Sequence, residues 1–174
     1  MTTMRSEQVV HLDDVEPITW GGEEAARFLL RAEDTGGLYS FYEVCVPPGE
    51  GSLFHIHEDT DEALFVIDGE FEIRLDGDVH KAPSGVLVYG PRGVGHSFFN
   101  TWHRPSRMLC MVTPGGIERF FEELSLLMSQ DSPPEWNRMR ELAARHRIVA
   151  FRPQSDPHDG PAGGASSHLD QKRD

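Results

Sequence analysis

Gly49-Glu50-Gly51-Ser52-Leu53-Phe54-His55-Ile56-His57-Glu58-Asp59-Thr60-Asp61-Glu62 is the stretch whose reading decides how this chain folds. It continues as a six-residue run to Gly69, and a second stretch answers it: Gly85-x5-Pro91-x-Gly93-x2-His96-x3-Asn100. Residues i and i+2 of a β-strand point to the same face, so His55 and His57 are expected to reach one point together. Glu62 and His96 have to arrive from other strands, which requires a closed or folded sheet. Three imidazoles and one carboxylate suit one divalent metal per chain: zinc, nickel, iron, cobalt or manganese. Positions remain for water or substrate. The competing reading makes the four ordinary polar residues of a core or surface.

Outward from these stretches the chain reads as short strands divided by Gly, Pro and Asp turns. Segments 8–12, 25–32, 38–46, 52–57, 62–68, 71–75, 78–82, 86–90, 96–101 and 106–112 are the expected strands. Asp68-Gly69 and Asp76-Gly77 signal two-residue hairpins, and Gly36-Gly37 a tight turn. Many short strands at this spacing predict an all-β sandwich or barrel. After Pro114-Gly115-Gly116 the pattern becomes helical. Ile117, Phe120, Phe121, Leu124, Leu127 and Met128 recur at helical spacing, and Trp136, Met139 and Leu142 mark a second helix over about 135–146. These helices are expected on the barrel exterior, at its mouth, or as a lid over the site. The tail from 152 to 174, rich in Pro, Gly, Ser and charge, reads as disordered.

Ten glycine, histidine, glutamate, proline and asparagine positions of the two stretches fall at the spacings of the cupin motifs, and the chain resembles that family. The fifteen residues between Gly69 and Gly85 are similar to the intermotif loop of microbial single-domain cupins. The resemblance extends to Ser40–Gly49, Thr113–Phe121 and Leu142–Ile148, and is nearest to quercetinase-like (quercetin 2,3-dioxygenase-like) cupins. It implies a double-stranded β-helix, a jelly-roll barrel with short C-terminal helices. One cupin domain would cover 1–150, with its barrel core at about 38–113 and helices at about 116–147. The resemblance also implies dioxygenation of a flavonol or related enolic or phenolic substrate with O2, with Glu62 both metal ligand and catalytic base. Alternatives on the same ligands are a redox-silent zinc cyclase or isomerase acting on polyketide-like aromatics, and a sensor or binding module without turnover. A homodimer is a further implication.

Pocket walls follow from strand parity. With His55 and His57 inward, Leu53 is inward; with His96 inward, so is Phe98. Leu64 and Val66 share the face of Glu62, and Met111 and Phe121 complete the expected apolar pocket. The alternative is plain barrel core. Composition narrows the partners. The 174 residues carry a formal net charge of −13, which argues against nucleic acid or an anionic membrane as partner. Cys45 and Cys110, both in apolar runs without CxxC spacing, read as buried free thiols. The absence of a signal-like start or a long apolar run leads to an expectation of a cytoplasmic protein.

Overall fold

The computed structural model describes residues 7–20, 25–130, 132 and 134–151. The expected tail at 152–174 lies outside the described residues. Two antiparallel sheets face one another across an apolar interior. The first holds six strands in the order β1 (Ile18–Thr19), β2 (Ala25–Leu30), β3 (Ser40–Val46), β10 (Ser106–Thr113), β5 (Asp61–Asp68) and β8 (Leu87–Gly90). The second holds five, in the order β11 (Ile148–Ala150), β4 (His55–His57), β9 (Gly95–Asn100), β6 (Glu70–Leu75) and β7 (Asp78–Pro83). This is the expected all-β double-stranded β-helix, and its open edges are β1 and β8 in one sheet and β11 and β7 in the other.

Alternation along the strands builds the core. Ser106, Met108, Cys110 and Val112 face inward from β10, Tyr42, Val44 and Val46 from β3, and Leu64 and Val66 from β5. They meet Phe71 and Ile73 of β6 and Ala82 of β7 from the facing sheet. Asn100, fully buried, closes the end of β9. Its amide donates to the carbonyls of Val46 and Arg104, and its oxygen accepts from the Trp102 N–H and the Ser106 hydroxyl.

Asp76-Gly77 makes the expected two-residue hairpin between β6 and β7, with both residues at positive φ (47° and 93°). Asp68-Gly69 turns the chain but makes no hairpin. It carries the backbone from β5 in one sheet to β6 in the other, and a Cβ on Gly69 would run into Ser106. Turn chemistry fixes where a chain reverses, whereas the sheet that receives the next strand is a tertiary choice. The expected strand at 8–12 does not form either. Residues 12–14 make one 3-10 turn, Val9 is 88% exposed, and the segment joins neither sheet. Strands β1 and β11, two and three residues long, are too short to register as sequence patterns.

Between β2 and β3 lies a single helical turn, α1 (Ala32–Thr35), closed by Gly36 in the left-handed region. The two C-terminal helices are α2 (Glu118–Met128) and α3 (Trp136–Arg145), within a residue or two of the expected bounds. They share a small core of Leu124, Leu127 and Leu142, flanked by Trp20, Phe120, Met128 and Met139. The buried Glu118 carboxylate anchors α2 by accepting from the Ala32 N–H at 2.9 Å and the Ser40 hydroxyl at 2.7 Å. None of the described helices is long and apolar enough to cross a membrane.

Candidate metal centre and its cavity

The two sheets contribute different chemistry to one point. The five-stranded sheet supplies the histidines: His55 and His57 lie one pleat repeat apart on β4, and His55 stands directly opposite His96 of β9. The six-stranded sheet supplies the carboxylate, because Glu62 near the start of β5 points across the gap. One donor atom from each of the four lies within 4.8 Å of the other three. His57, Glu62 and His96 are each less than a tenth exposed, and His55 is somewhat more open, toward the cavity.

Backbone carbonyls orient the rings. His55 Nδ1 lies 2.8 Å from the Leu53 carbonyl and His96 Nδ1 lies 3.2 Å from that of Val94. Only a protonated nitrogen can donate to a carbonyl, so in each ring Nδ1 carries a proton and Nε2 is the atom turned toward the cluster, where it would give its lone pair to a cation. Glu62 Oε2 is 2.9 Å from His96 Nε2 and 3.5 Å from His57 Nε2. Its other oxygen, Oε1, accepts the Tyr42 hydroxyl at 2.9 Å.

Electrostatics of the cluster follow from burial against mutual contact. Burial and the neighbouring His96 and His57 rings push the His55 pKa down to about 3, which keeps that imidazole neutral. Burial works against ionisation of Glu62, but hydrogen bonds from His57 and His96 overcome it and hold the carboxyl well below its ordinary range. Burial likewise works against charge on His96, and Glu62 overcomes it, raising that pKa. Tyr42 and the Cys110 thiol are both pushed up, first by burial and then by the Glu62 charge.

The donor set fits a divalent cation. A buried carboxylate facing three imidazoles demands a positive partner, and a cation answers that demand with the Nδ1 protons left in place. Bonds of about 2.1 Å allow two donors to stand at most about 4.2 Å apart. Donor atoms that all lie within 4.8 Å of one another are close to that span.

Above the cluster opens a cavity of about 310 Å³. Its polar end is His55, His57 and Glu62 with Tyr42 and Cys110; its walls include Val44 and Phe98 from the sheets and Leu53 from the loop before β4. Its roof comes from Trp20, from Ile117, Phe120, Phe121 and Met128 at α2, from Trp136, Met139 and Ala143 of α3, and from Ile148 and Ala150 of β11. Among the described residues, no lysine, arginine or second carboxylate lines it. Leu53, in the loop before β4, Phe98 of β9 and Phe121 of α2 all line the cavity. Leu64 and Val66 face the interior but belong to the packed core beneath the cavity, where Leu64 borders only a small gap beside Glu62 and His96. Met111 points the other way. It is 40% exposed on the outer face, because inward-facing Cys110 sets the parity of β10 by pairing with Tyr42 and Leu64.

Sequence reading missed Tyr42, Cys110 and most of the roof. Tyr42 sits two strands from Glu62, across β10, and no local spacing links them. The aromatic richness of Trp20, Phe120 and Trp136 was a usable signal, but nothing in it named the surface they cover. His103, His80 and His11 lie away from the cluster. Cys45 and Cys110 form no disulfide.

Residues 42–112 match the cupin domain family. Quercetin 2,3-dioxygenase of Bacillus subtilis is 30% identical over 102 residues, 58% of this chain, which span 29% of that enzyme's length. Protein SchB of Streptomyces halstedii is 32% identical over 113 residues, covering 64% of this chain and 81% of its own. Polyketide synthase CurC of Streptomyces cyaneus is 28% identical over 110 residues, covering 62% and 70%.

Proposed function

The chain belongs to the cupin family, and from that footing we propose that it is a metal-dependent dioxygenase of the quercetinase type acting on a flat enolic or phenolic aromatic molecule. The observation that carries this reading is the pairing of a three-histidine, one-glutamate cluster with a 310 Å³ cavity walled by aromatic and aliphatic side chains. Such a cavity is at the small end for organic ligands, and the ionisable groups that line it are gathered at the cluster. A substrate carrying charge along its length would leave that charge desolvated and unpaired against Phe98, Phe120 and Trp136.

His55, His57, Glu62 and His96 would hold the cation, which when bound supplies Lewis acidity toward an enol and, for a redox-capable ion, a path for O2 chemistry. The protein's own part is proton handling and positioning. Glu62, which would serve as both ligand and base, would take the substrate hydroxyl proton on a carboxylate that hydrogen bonds from His57 and His96 keep ionised. The apolar roof orients the ring by shape and keeps water from the reacting end. Oxygen consumption tests the reading, with quercetin as probe and the protein loaded in turn with nickel, cobalt, manganese and iron. Uptake with at least one ion is expected; no uptake with any of them overturns the dioxygenase.

A second reading rests on the similarity to a polyketide synthase protein. The same centre loaded with zinc would catalyse a redox-silent cyclisation or isomerisation of a polyketide-like aromatic. Turnover under nitrogen would support it over the first.

A further inference from the structure

We propose that Tyr42 is a positioning residue for Glu62, its hydroxyl holding the carboxylate so that a single oxygen faces the histidines. The inference rests on the metal reading above. The two oxygens of Glu62 are divided between the sheets. Oε1 accepts the Tyr42 hydroxyl at 2.9 Å, while Oε2 lies 2.9 Å from His96 Nε2. A carboxylate with both oxygens free can turn and give both to a cation. With Oε1 tied, Glu62 offers one donor and leaves a position beside it open for a substrate oxygen.

Packing keeps the hydroxyl in place. Tyr42 is 2% exposed, its ring stacks on Phe28 with centroids 4.7 Å apart, and Phe121 meets it edge-on at 5.7 Å. Cys110 stands directly opposite Tyr42 in the β3–β10 pairing and packs in the same core. A phenylalanine would fill the same space and make the same ring contacts. The hydroxyl is therefore surplus to packing, and Glu62 is the acceptor of its one proton.

The test is Tyr42→Phe loaded with cobalt(II) alone, read by visible absorption and by competition against a chelator. Phe28→Leu serves as the packing control, since it loosens the Tyr42 ring and spares the hydroxyl. Circular dichroism checks that both fold. Tyr42→Phe is expected to keep binding cobalt, with affinity lowered by no more than about 10- to 100-fold. Its visible bands should shift and lose intensity as the carboxylate turns to supply a second oxygen, whereas Phe28→Leu keeps the wild-type spectrum. A wild-type spectrum for Tyr42→Phe, or the same spectral change in Phe28→Leu, would overturn the positioning role and leave the metal centre standing. A wild-type protein that takes up no cobalt would overturn the centre itself, and the role of Tyr42 with it.

Discussion

The polar floor of the cavity and its apolar roof come from different parts of the chain and are held by different forces. The floor lies on β4, β5 and β9, where cross-strand hydrogen bonds fix the backbone and the pleat fixes the direction of each side chain. The roof lies on α2, α3, β11 and Trp20. The two helices meet through the side chains of Leu124, Leu127 and Leu142 and through an exposed ion pair from Glu123 to Arg145. Chemistry is carried by the paired strands, and most of the ligand's shape is read by α2 and α3, which can vary more freely than β11, hydrogen-bonded to β4 with Ile148 opposite His57 and Ala150 opposite His55.

That division breaks if floor and roof variants disturb the same property. His96→Ala should have the largest effect. It removes one of four donors, and metal affinity should fall by more than about 100-fold, beyond what loss of an outer partner costs. Circular dichroism should stay at wild type, and a chelator titration reads the loss. Glu62→Gln comes next. It should lose less metal affinity than His96→Ala, because the amide oxygen still faces the ion, and lose turnover by about 10²- to 10⁴-fold, the range for a missing general base. Equal turnover in the Gln variant would remove the base role.

Roof variants should do the opposite. Leu142, 2% exposed, sits between α2 and α3, and Leu142→Ala should cost about 2–5 kcal/mol of stability in denaturant titration. Its cobalt affinity should remain that of wild type; a parallel loss of metal would mean that the helices help build the floor. The smallest effect belongs to Glu123, whose pKa is lowered by hydrogen bonds from Arg145 at 2.6 Å and His146 at 3.0 Å. A lowered carboxyl stabilises the fold above its ordinary value near 4.5, and that contribution fades as pH falls through the native value. Glu123→Gln should therefore melt slightly earlier than wild type at pH 7, and the difference should shrink as both are titrated below pH 4. A constant gap across that range would mean the pair contributes through packing alone.

Legibility in the sequence follows the same line. The floor was readable because its rule is local: two histidines at i and i+2 share a face, and motif spacing brings Glu62 and His96 to them. Asp76-Gly77 was readable for the same reason. What failed were particular choices made between strands. Asp68-Gly69 looks like a hairpin and is a crossing between sheets. Met111 was placed inward because β10 carries no histidine or glutamate of the cluster to set its parity. The helical periods of α2 and α3 were plain, yet periodicity describes a face and not the surface that face covers. Tyr42 escaped because its partner lies on a strand that shares no hydrogen bond with its own.

Elemental analysis of the chain, before and after dialysis against nickel, cobalt, manganese, iron and zinc salts, tests the central claim most directly. The account predicts about one equivalent of a divalent transition ion per wild-type chain, and under about a tenth of that in a His55→Ala, His96→Ala double variant. A wild-type protein that stays free of metal throughout, or a double variant that retains as much as wild type, would contradict it.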